Sequence, residues 1–363
     1  MAKRLFVAAT EQHSGKTTIS VCLMHLARKR FERVGFIKPV GQQYVRIGEL
    51  DVDKDTALMA TTYGLQADLP LMSPVVAREG FTKDVLDGVV RTEDLTTRIL
   101  ESLAELERRH DFIIIEGTGH GGVGAVMGVS NARVASLCQA PVLIVVKGGI
   151  GSAVDAVSLN LPLYRKEQAD VRFVLANKLL PDKRASSLHY MSKALHSEAV
   201  EVLGGLDYSA VLASPTLAQL AKYLDTPLRG ALDDGSRIAH RIHLGAASTE
   251  RCVDLLRHAT LIVTTSSRDE LIVTLSSLYA IPEYKDKICG LIVAGVGPIS
   301  PPTQRILDAS GIPYLRPIRS TGEVFALVND YVAKTGPEDQ EKIEWMQAHS
   351  ERCIDFDALL AGL

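Results

Sequence analysis

Arg4-Leu5-Phe6-Val7-Ala8-Ala9 runs directly into Thr10-Glu11-Gln12-His13-Ser14-Gly15-Lys16-Thr17-Thr18, and this stretch decides the fold. An apolar strand, a polar loop ending in Gly-Lys-Thr and a helix-forming segment follow one another in the order of a phosphate-binding loop. In such a loop the backbone N–H groups and the helix N-terminus point at the phosphates of a nucleotide. We therefore expect Lys16 to reach the β- and γ-phosphates and the Thr17 hydroxyl to bind Mg²⁺.

The loop departs at one position from the pattern G-x-x-x-x-G-K-[ST], because Thr10 stands where the first glycine is expected. The alternative interpretation is a glycine-containing turn with a lysine on the surface. The strand-loop-helix order at residues 4–30 favours the phosphate-binding interpretation.

Length and composition bound the class of protein. The 363 residues predict about two domains, and 46% hydrophobic with 23% charged residues is typical of a soluble α/β protein. The formal net charge of −3 offers no electrostatic basis for binding nucleic acid or an anionic membrane. Neither a signal peptide nor a membrane-spanning run is evident, and the five scattered cysteines lack metal-binding spacing. We expect a cytoplasmic protein with reduced thiols and without nucleic-acid or membrane partners.

Short apolar strands alternate with segments of helical length, which predicts an α/β fold with a mostly parallel sheet and flanking helices. We place a first domain at residues 1–205 and a second, smaller α/β domain at 206–363, with residues 204–215 as a junction. Residues 183–203 are predicted as one helix. The charged tail after Pro337 is assigned to the second domain and is expected to end in a docking helix over 354–360.

Further polar residues follow the predicted strands of the first domain. Glu116 ends the apolar run Phe112–Ile115 and precedes a glycine-rich loop, and Lys38 ends the second strand before Pro39. Ligands of open α/β sheets collect at this edge, so Glu116 could bind Mg²⁺ and Lys38 could bind a phosphate. In the acidic run 51–55, either Asp55 is a metal ligand or Asp53 caps a helix, and the spacing alone does not decide.

These motifs together resemble a family. Gly15-Lys16-Thr17, Lys38-Pro39-Val40, Asp55-Thr56-Ala57-Leu58 and Glu116-Gly117-Thr118-Gly119 are similar to dethiobiotin synthetase and its ATP-binding relatives, which include cobyrinic acid a,c-diamide synthase and the N-terminal part of long bacterial phosphotransacetylases. The resemblance covers about residues 1–205 and makes Thr10 an expected variation. It implies ATP and Mg²⁺ as cofactors, with Thr17, Asp55 and Glu116 on the metal, Lys16 and Lys38 as catalytic residues, and Asn177 on the adenine. The loop from Thr10 to Thr18 would hold the nucleotide.

Other features depart from that family. Gly41-Gln42-Gln43 replaces the small turn that faces the diamine in dethiobiotin synthetase, so the diamine site does not carry over.

The second domain resembles the DRTGG domain that follows the synthetase-like domain in the long phosphotransacetylases. This second match is loose, because Arg268 is present but the glycine pair is not. Ser266, Ser267 and Arg268 either bind an anion or simply begin a capped helix.

Two functions follow from the resemblance. One is an ATP-dependent ligase that phosphorylates a carboxylate or carbamate before an amine captures it. The alternative is a regulatory nucleotide-binding protein with little catalysis, whose second domain senses a ligand or binds a partner. A homodimer is expected by resemblance to synthetases of this class. The identity of the acceptor is not encoded in any motif that we recognise.

Overall fold

The computed structural model describes residues 2–230 and 235–363, which form two compact units, Met1–Tyr208 with Gln340–Leu363 and Ser209–Asp339. Numbered along the chain, the strands are β1 (Lys3–Ala9), β2 (Val34–Ile37), β3 (Val40–Gly41), β4 (Tyr44–Ile47), β5 (Leu50–Asp53), β6 (Val75–Val76), β7 (Phe112–Glu116), β8 (Val142–Lys147), β9 (Val171–Leu179), β10 (Glu201–Asp207), β11 (Arg241–Leu244), β12 (Thr260–Thr265), β13 (Ile288–Ala294) and β14 (Tyr314–Leu315). The helices are α1 (Lys16–Arg28), α2 (Lys54–Tyr63), α3 (Leu69–Met72), α4 (Phe81–Leu86), α5 (Thr92–Arg109), α6 (Asn131–Leu137), α7 (Gly151–Lys166), α8 (Arg184–Leu195), α9 (Ala210–Ala213), α10 (Leu217–Tyr223), α11 (Thr249–Asp254), α12 (Asp269–Leu278), α13 (Pro282–Lys285), α14 (Pro301–Ser310), α15 (Thr321–Asn329), α16 (Gln340–Cys353) and α17 (Phe356–Ala361).

The first unit is built on a six-stranded parallel sheet in the order β10-β9-β8-β1-β7-β2. Its central strands are apolar in their interiors because helices cover both faces, and their charged residues lie only at the ends, where Lys3 and Arg4 begin β1 and Glu116 ends β7. Helices α5, α6 and α7 contribute to the core on one face, while α1 packs on β7 and α16 packs on α1. The predicted α/β class with a mostly parallel sheet and flanking helices is confirmed.

The chain order reverses on either side of β1, since β7 lies on one side of it and β8 on the other. Such a switch point leaves a crevice at the carboxyl ends of the strands, where α/β proteins place their ligands. The loops after β1, β2 and β7 all open at this edge.

The predicted helix over 183–203 is wrong in its second half. Helix α8 ends at Leu195, and Glu201–Asp207 instead forms the edge strand β10, parallel to β9. Ala199 turns the chain with a φ of 57°. Gly205 then lies so close to β9 that an added Cβ would stand 2.4 Å from the Ala176 carbonyl oxygen. A strand therefore occupies part of the segment that the sequence had predicted as a junction.

The tail lies with the first unit rather than with the second, to which the sequence analysis assigned it. The sequence analysis did not predict the long helix α16, because this segment is rich in charged residues. The helix nevertheless buries Ile343 and Met346 at helical spacing. The predicted docking helix exists as α17, where Phe356 packs against Phe112 at a ring-centroid distance of 6.3 Å. Apolar burial on α1 and β7 thus explains why the chain returns to the first unit.

The second unit contains a four-stranded parallel sheet in the order β11-β12-β13-β14. One face packs on α11, α12 and α14, and the other packs on α10 and α15. The apolar runs of the sequence predict strands here over 241–245, 259–264, 288–293 and 314–316, and the observed strands agree with them to within one or two residues. Within residues 2–230 and 235–363, no helix combines the length and the apolarity needed to cross a bilayer. All five cysteines are free, and four of them are buried.

Candidate functional site

The loop between β1 and α1 wraps around the first turn of the helix. Gly15 occupies the N-cap position with a φ of 98°, a left-handed conformation that favours glycine. An added Cβ at Gly15 would stand 1.9 Å from Nδ2 of Asn177, so this position has no room for a side chain. Helix α1 has no side-chain cap and no acidic residue in its first turn, so its N–H groups are suited to an anionic ligand.

The other loop residues differ in exposure. Ser14 is fully buried and donates through Oγ to the Glu11 carbonyl at 3.0 Å, and Thr10 is also buried. Glu11 pairs with Lys147 at 2.8 Å. Gln12 and His13 are exposed, and Thr17 and Thr18 are half-buried at the start of α1. The nine residues predicted to hold a nucleotide therefore form one continuous loop and helix start.

Asn177 contacts the phosphate-binding loop directly. Its Nδ2 donates to the Ser14 carbonyl at 2.8 Å, and its side chain is buried. The neighbouring Lys178 donates to the His13 carbonyl at 3.1 Å. These contacts show Asn177 bracing the loop from β9, and its role toward adenine stays a prediction.

Lys16 and Thr17 point from α1 toward the loop that follows β7. Lys16 is 8% exposed, and its Nζ donates to the Gly119 carbonyl at 2.7 Å. The Thr17 hydroxyl donates to Oε1 of Glu116 at 3.2 Å. Residues separated by about 100 positions thus meet at the edge predicted from the strand ends.

Lys38 lies at the centre of a buried acidic cluster. Its Nζ is 3.3 Å from Oδ1 of Asp53 and 3.3 Å from Oε1 of Glu116, and it contacts Oδ2 of Asp55 more closely. Lys38, Asp53 and Glu116 are all buried. Asp53 also caps α2 by accepting the Asp55 N–H at 2.9 Å. Asp53 is therefore the cap of α2, whereas Asp55 faces Lys38 and its role as a metal ligand stays a prediction.

Burial and charge act in opposite directions on these groups. Burial opposes the charge of Lys38, but attraction to Asp55, Glu116 and Asp53 outweighs burial and raises the Lys38 pKa above its ordinary value. Burial raises the pKa of Glu116 to about 7, although Lys38 opposes this shift. Burial also raises the pKa of Asp53. The cluster therefore depends on a cation to hold its carboxylates in the charged form.

The donor set suits Mg²⁺ bound together with phosphates. Oε2 of Glu116 is buried and has no hydrogen-bond partner among the described residues. Mg²⁺ in nucleotide sites takes oxygen ligands from one or two carboxylates, a hydroxyl and the phosphates. Thr17, Asp55 and Glu116 could supply such oxygens. Within the described ranges, no group of three His, Cys, Asp or Glu side chains able to hold a metal is found.

Sequence reasoning missed two asparagines that support the site. Asn160 on α7 donates to the Thr10 carbonyl at 3.3 Å and accepts from the Gly121 N–H at 3.3 Å, so it links the two loops. Asn131 brackets Thr118 by accepting its N–H at 2.9 Å and donating to its carbonyl at 2.6 Å. Asn160 lies in the apolar stripe of α7, and a polar residue in such a stripe is a signal that could have drawn notice.

The second unit uses its polar residues differently. Arg268 donates to the Gly245 and Ala247 carbonyls, both at 3.0 Å, and also contacts Glu270. Ser266 donates to the Gly297 carbonyl at 2.8 Å. These contacts favour a braced loop at the start of α12 over an anion site.

A parallel sheet with a phosphate-binding loop at its switch point defines the first unit as a P-loop NTPase-like domain. The chain belongs to the AAA_26 family, described as an AAA domain, whose model matches residues 3–216. The match agrees with the resemblance to ATP-binding synthetases noted in the sequence. The matched range ends at residue 216, so the DRTGG-like second domain stays a prediction.

Two kinds of characterised protein are similar to this chain in sequence. A phosphate acetyltransferase of Pseudomonas putida is 25% identical over 360 residues, which cover 94% of this chain and 49% of that protein. An ATP-dependent dethiobiotin synthetase of Clostridium kluyveri is 27% identical over 119 residues, which cover 33% of this chain and 49% of that protein. The chain thus spans about half the length of the curated relatives that it matches.

Among solved structures, the MinC:MinD cell division protein complex of Aquifex aeolicus matches 58% of this chain and 84% of the compared chain. The sequence identity is 17% and the TM-score is 0.37.

Proposed function

We propose that this protein binds Mg-ATP and transfers the γ-phosphoryl group to a carboxylate or carbamate oxygen, as an ATP-dependent ligase. The observation that carries the proposal is the Lys38 ammonium held among Asp53, Asp55 and Glu116, where Glu116 also accepts a hydrogen bond from the Thr17 hydroxyl. A buried lysine at this position can stabilise negative charge that develops during phosphoryl transfer. A cluster of ion pairs that served only to stabilise the fold would have no need of a phosphate-binding loop beside it, so the loop favours a reaction site.

The roles follow from the positions of the side chains. The loop Thr10–Thr18 would bind the phosphates, with Lys16 leaving the Gly119 carbonyl to contact them, while Asn177 supports the loop. Thr17, Asp55 and Glu116 would hold Mg²⁺, which when bound would neutralise charge on the β- and γ-phosphates. Lys16 and Lys38 are the proposed catalytic residues.

The bond changes of the proposed reaction balance without any further reagent. An oxygen of the acceptor carboxylate forms a bond to the γ-phosphorus as the bond from that phosphorus to the bridging oxygen of ADP breaks. An amine nitrogen then attacks the activated carbonyl carbon, inorganic phosphate leaves, and the amine loses a proton to solvent. The protein contributes position and positive charge to the first step.

A second candidate is a regulatory nucleotide-binding protein. It is supported by the similarity to phosphate acetyltransferases, which extends over 94% of this chain rather than over the first unit alone. The exposed Gln42 and Gln43, which replace the diamine-facing turn of dethiobiotin synthetase, also favour it. On either proposal we expect a cytoplasmic homodimer with a small-molecule substrate or effector. Acetyl transfer is not proposed for this chain.

The first experiment tests nucleotide binding. Isothermal titration calorimetry with Mg-ATP should give a binding isotherm for the wild-type protein and none for Lys16→Ala. Lys166→Ala, which changes an exposed lysine in the last turn of α7, is the matched control and should bind as the wild type does. Equal binding by Lys16→Ala and the wild type would contradict the assignment of the loop.

The second experiment separates the two candidates. ADP release is measured while carboxylates, diamines and amines are supplied, and the products are identified by mass spectrometry. Acceptor-dependent ADP release that Lys38→Ala abolishes supports the ligase. Tight ATP binding without any acceptor-dependent turnover contradicts the ligase and supports the regulatory candidate.

A further inference from the structure

A pair of arginines shares one carboxylate beside the candidate site. Asp51 Oδ1 lies 2.8 Å from a guanidinium nitrogen of Arg46, and Asp51 Oδ2 contacts Arg78. The Asp51 side chain is only 10% exposed, whereas the Arg46 and Arg78 side chains are 58% and 59% exposed. Two cations on one anion leave an excess positive charge, and both guanidinium groups still face solvent.

The register of the β4–β5 hairpin places this arginine pair relative to Lys38. Arg46 lies opposite Asp51, and Tyr44 lies opposite Asp53. Residues two apart on a strand share a face, so Asp51 and Asp53 project from the same side of the hairpin, about 7 Å apart along the strand. Because the Asp53 carboxylate contacts Lys38, the arginine pair lies one strand repeat from the proposed reaction site.

A second pairing places Arg78 independently of the hairpin. Strand β6 pairs with β3, with Gly41 opposite Val76, and the Ala77 N–H donates to the Gly41 carbonyl at 2.8 Å. Arg78 is the next residue along the chain. An added Cβ at Gly41 would meet the Asp53 Cβ at 2.7 Å, so the absence of a side chain there lets Asp53 lie against this turn. The β3–β6 pairing thus brings Arg78 close to Gly41, and the β4–β5 hairpin separately places the Asp51 carboxylate that Arg78 contacts.

The neighbouring acidic residues do not neutralise the pair. Glu49 and Glu79 are exposed, and within the described part of the chain neither forms an ion pair with Arg46 or Arg78. Arg46 also donates from Nε to the Gly48 carbonyl at 3.2 Å, which fixes its guanidinium group above the hairpin. Guanidinium groups held in this way recognise carboxylates and phosphates through paired hydrogen bonds.

We propose that Arg46 and Arg78, held together by Asp51, bind a second acidic group of the acceptor whose first carboxylate reacts beside Lys38. The acceptor is then a small acid with two anionic groups, the second of which is a carboxylate or a phosphate. This inference rests on the proposed function for the reacting carboxylate, but the arginine site is testable without ATP. A diamine would meet excess positive charge here, which agrees with the loss of the diamine-facing turn.

The test measures binding of matched probes to the full chain, both without nucleotide and with Mg-ADP, by the shift in thermal unfolding midpoint over a concentration series. The probes are glutarate, 3-phosphonopropanoate, butyrate and 1,5-diaminopentane. We expect glutarate or 3-phosphonopropanoate to bind at least about tenfold more tightly than butyrate, with no shift from the diamine, since charge-assisted contacts of this kind are worth about tenfold or more. The stronger of the two dianions identifies the second acidic group.

Three variants decide whether the arginines are responsible. Arg46→Gln/Arg78→Gln should weaken the dianion at least about tenfold, and Arg91→Gln, which removes an exposed arginine that pairs with Asp94, should change nothing. Asp51→Asn should weaken the dianion about threefold, because it removes the carboxylate that holds the two guanidinium groups together, and this loss should disappear in the Arg46→Gln/Arg78→Gln background, whereas a merely structural Asp51 would weaken binding equally there. Circular dichroism verifies that each variant is folded.

The outcomes separate this inference from the proposed function. Equal binding of glutarate and butyrate, or wild-type binding by the double variant, overturns the arginine site. Selective dianion binding in a protein that fails to bind Mg-ATP supports the arginine site and contradicts the proposed function instead.

Discussion

The carboxyl edges of the two parallel sheets differ in what their charged residues contact. In the first unit, Lys38 contacts three carboxylates, and Lys16 reaches the loop after β7. In the second unit, Arg316 donates to the Val293 carbonyl at 3.1 Å and the Gly295 carbonyl at 2.8 Å. Lysines among carboxylates can exchange partners when a ligand arrives, whereas arginines bound to carbonyls fix the shape of a loop. The same architecture therefore supports a candidate reaction site in one unit and a braced edge in the other.

Removal of the central cation should have the largest effect. Lys38→Met leaves the buried Asp53 and Glu116 together with the half-buried Asp55 without their cation, and the loss of one partner of a buried ion pair costs about 3–5 kcal/mol of unfolding free energy. Trp345, the single tryptophan, lies on α16 in the first unit, so its fluorescence in a urea titration reports on that unit.

The matched change in the second unit is Arg316→Met, followed by circular dichroism. It should cost about 1–2 kcal/mol, because only hydrogen bonds to neutral carbonyls are lost. Mg²⁺ should stabilise Lys38→Met more than the wild type, since a metal can replace the missing cation. If Lys38→Met and Arg316→Met lost equal unfolding free energy, the charged residues at the two sheet edges would not differ in the way proposed here.

Gly15→Ala should lower the affinity for Mg-ATP about 100-fold, which corresponds to about 2.7 kcal/mol. The new Cβ would collide with Asn177 and force the loop out of shape, in addition to the strain of a positive φ. Gly64→Ala is the control, because Gly64 has a φ of 72° but nothing within 4 Å of an added Cβ. Calorimetry should show normal ATP binding in the control, and a matching loss there would indicate general destabilisation.

The pH dependence of Mg²⁺ binding tests the acidic cluster. Burial raises the pKa of Glu116 to about 7, so under the proposed metal assignment its carboxyl group holds a proton below that pH and is available to Mg²⁺ above it. The Mg²⁺ affinity of the ADP complex should therefore rise about tenfold between about pH 6 and about pH 8. Glu116→Gln should flatten this profile. A profile that falls with increasing pH, or one unchanged in Glu116→Gln, would contradict the metal assignment.

Arg268→Gln should have the smallest effect. It removes donation to the Gly245 and Ala247 carbonyls and should cost the second unit about 1 kcal/mol. Affinity for Mg-ATP and stabilisation by inorganic phosphate should stay unchanged, as measured by calorimetry and thermal unfolding. A phosphate effect that disappears in this variant would restore the anion-binding interpretation of Ser266, Ser267 and Arg268.

Local patterns predicted the parts of the fold that depend on local physics. The sequence predicted the apolar strands and the loop at Gly15-Lys16-Thr17 from their local patterns. It also predicted that Lys38 and Glu116 lie near each other, because strand ends share one edge of a parallel sheet. The edge strand β10 was missed because its glycines weaken any strand signal; Gly205 is needed where β9 lies close, and Gly204 where the Cys353 carbonyl lies close. The tail was misassigned because long-range burial, not composition, decides where an amphipathic helix packs.

The candidate site was predictable only where a motif marked it. Asp53 was recognised as a possible cap, but its contact with Lys38 depends on the β4–β5 hairpin, which the sequence analysis did not predict. Asn160 stands out as a polar residue in the apolar stripe of α7, but its neighbours do not indicate which two loops, distant in the chain, it joins. Arg46 and Arg78 likewise meet through Asp51 only after two separate strand pairings have formed.

The return of α16 and α17 to the first unit makes the second unit an insertion in the sequence of the first. During synthesis, the α1 surface that packs against Met346 stays uncovered until residues 340–363 leave the ribosome, whereas residues 209–339 are already available to fold. The P-loop unit is therefore the first to begin and the last to be completed. A nascent chain halted before α16 would expose the apolar side of α1 and be prone to aggregation.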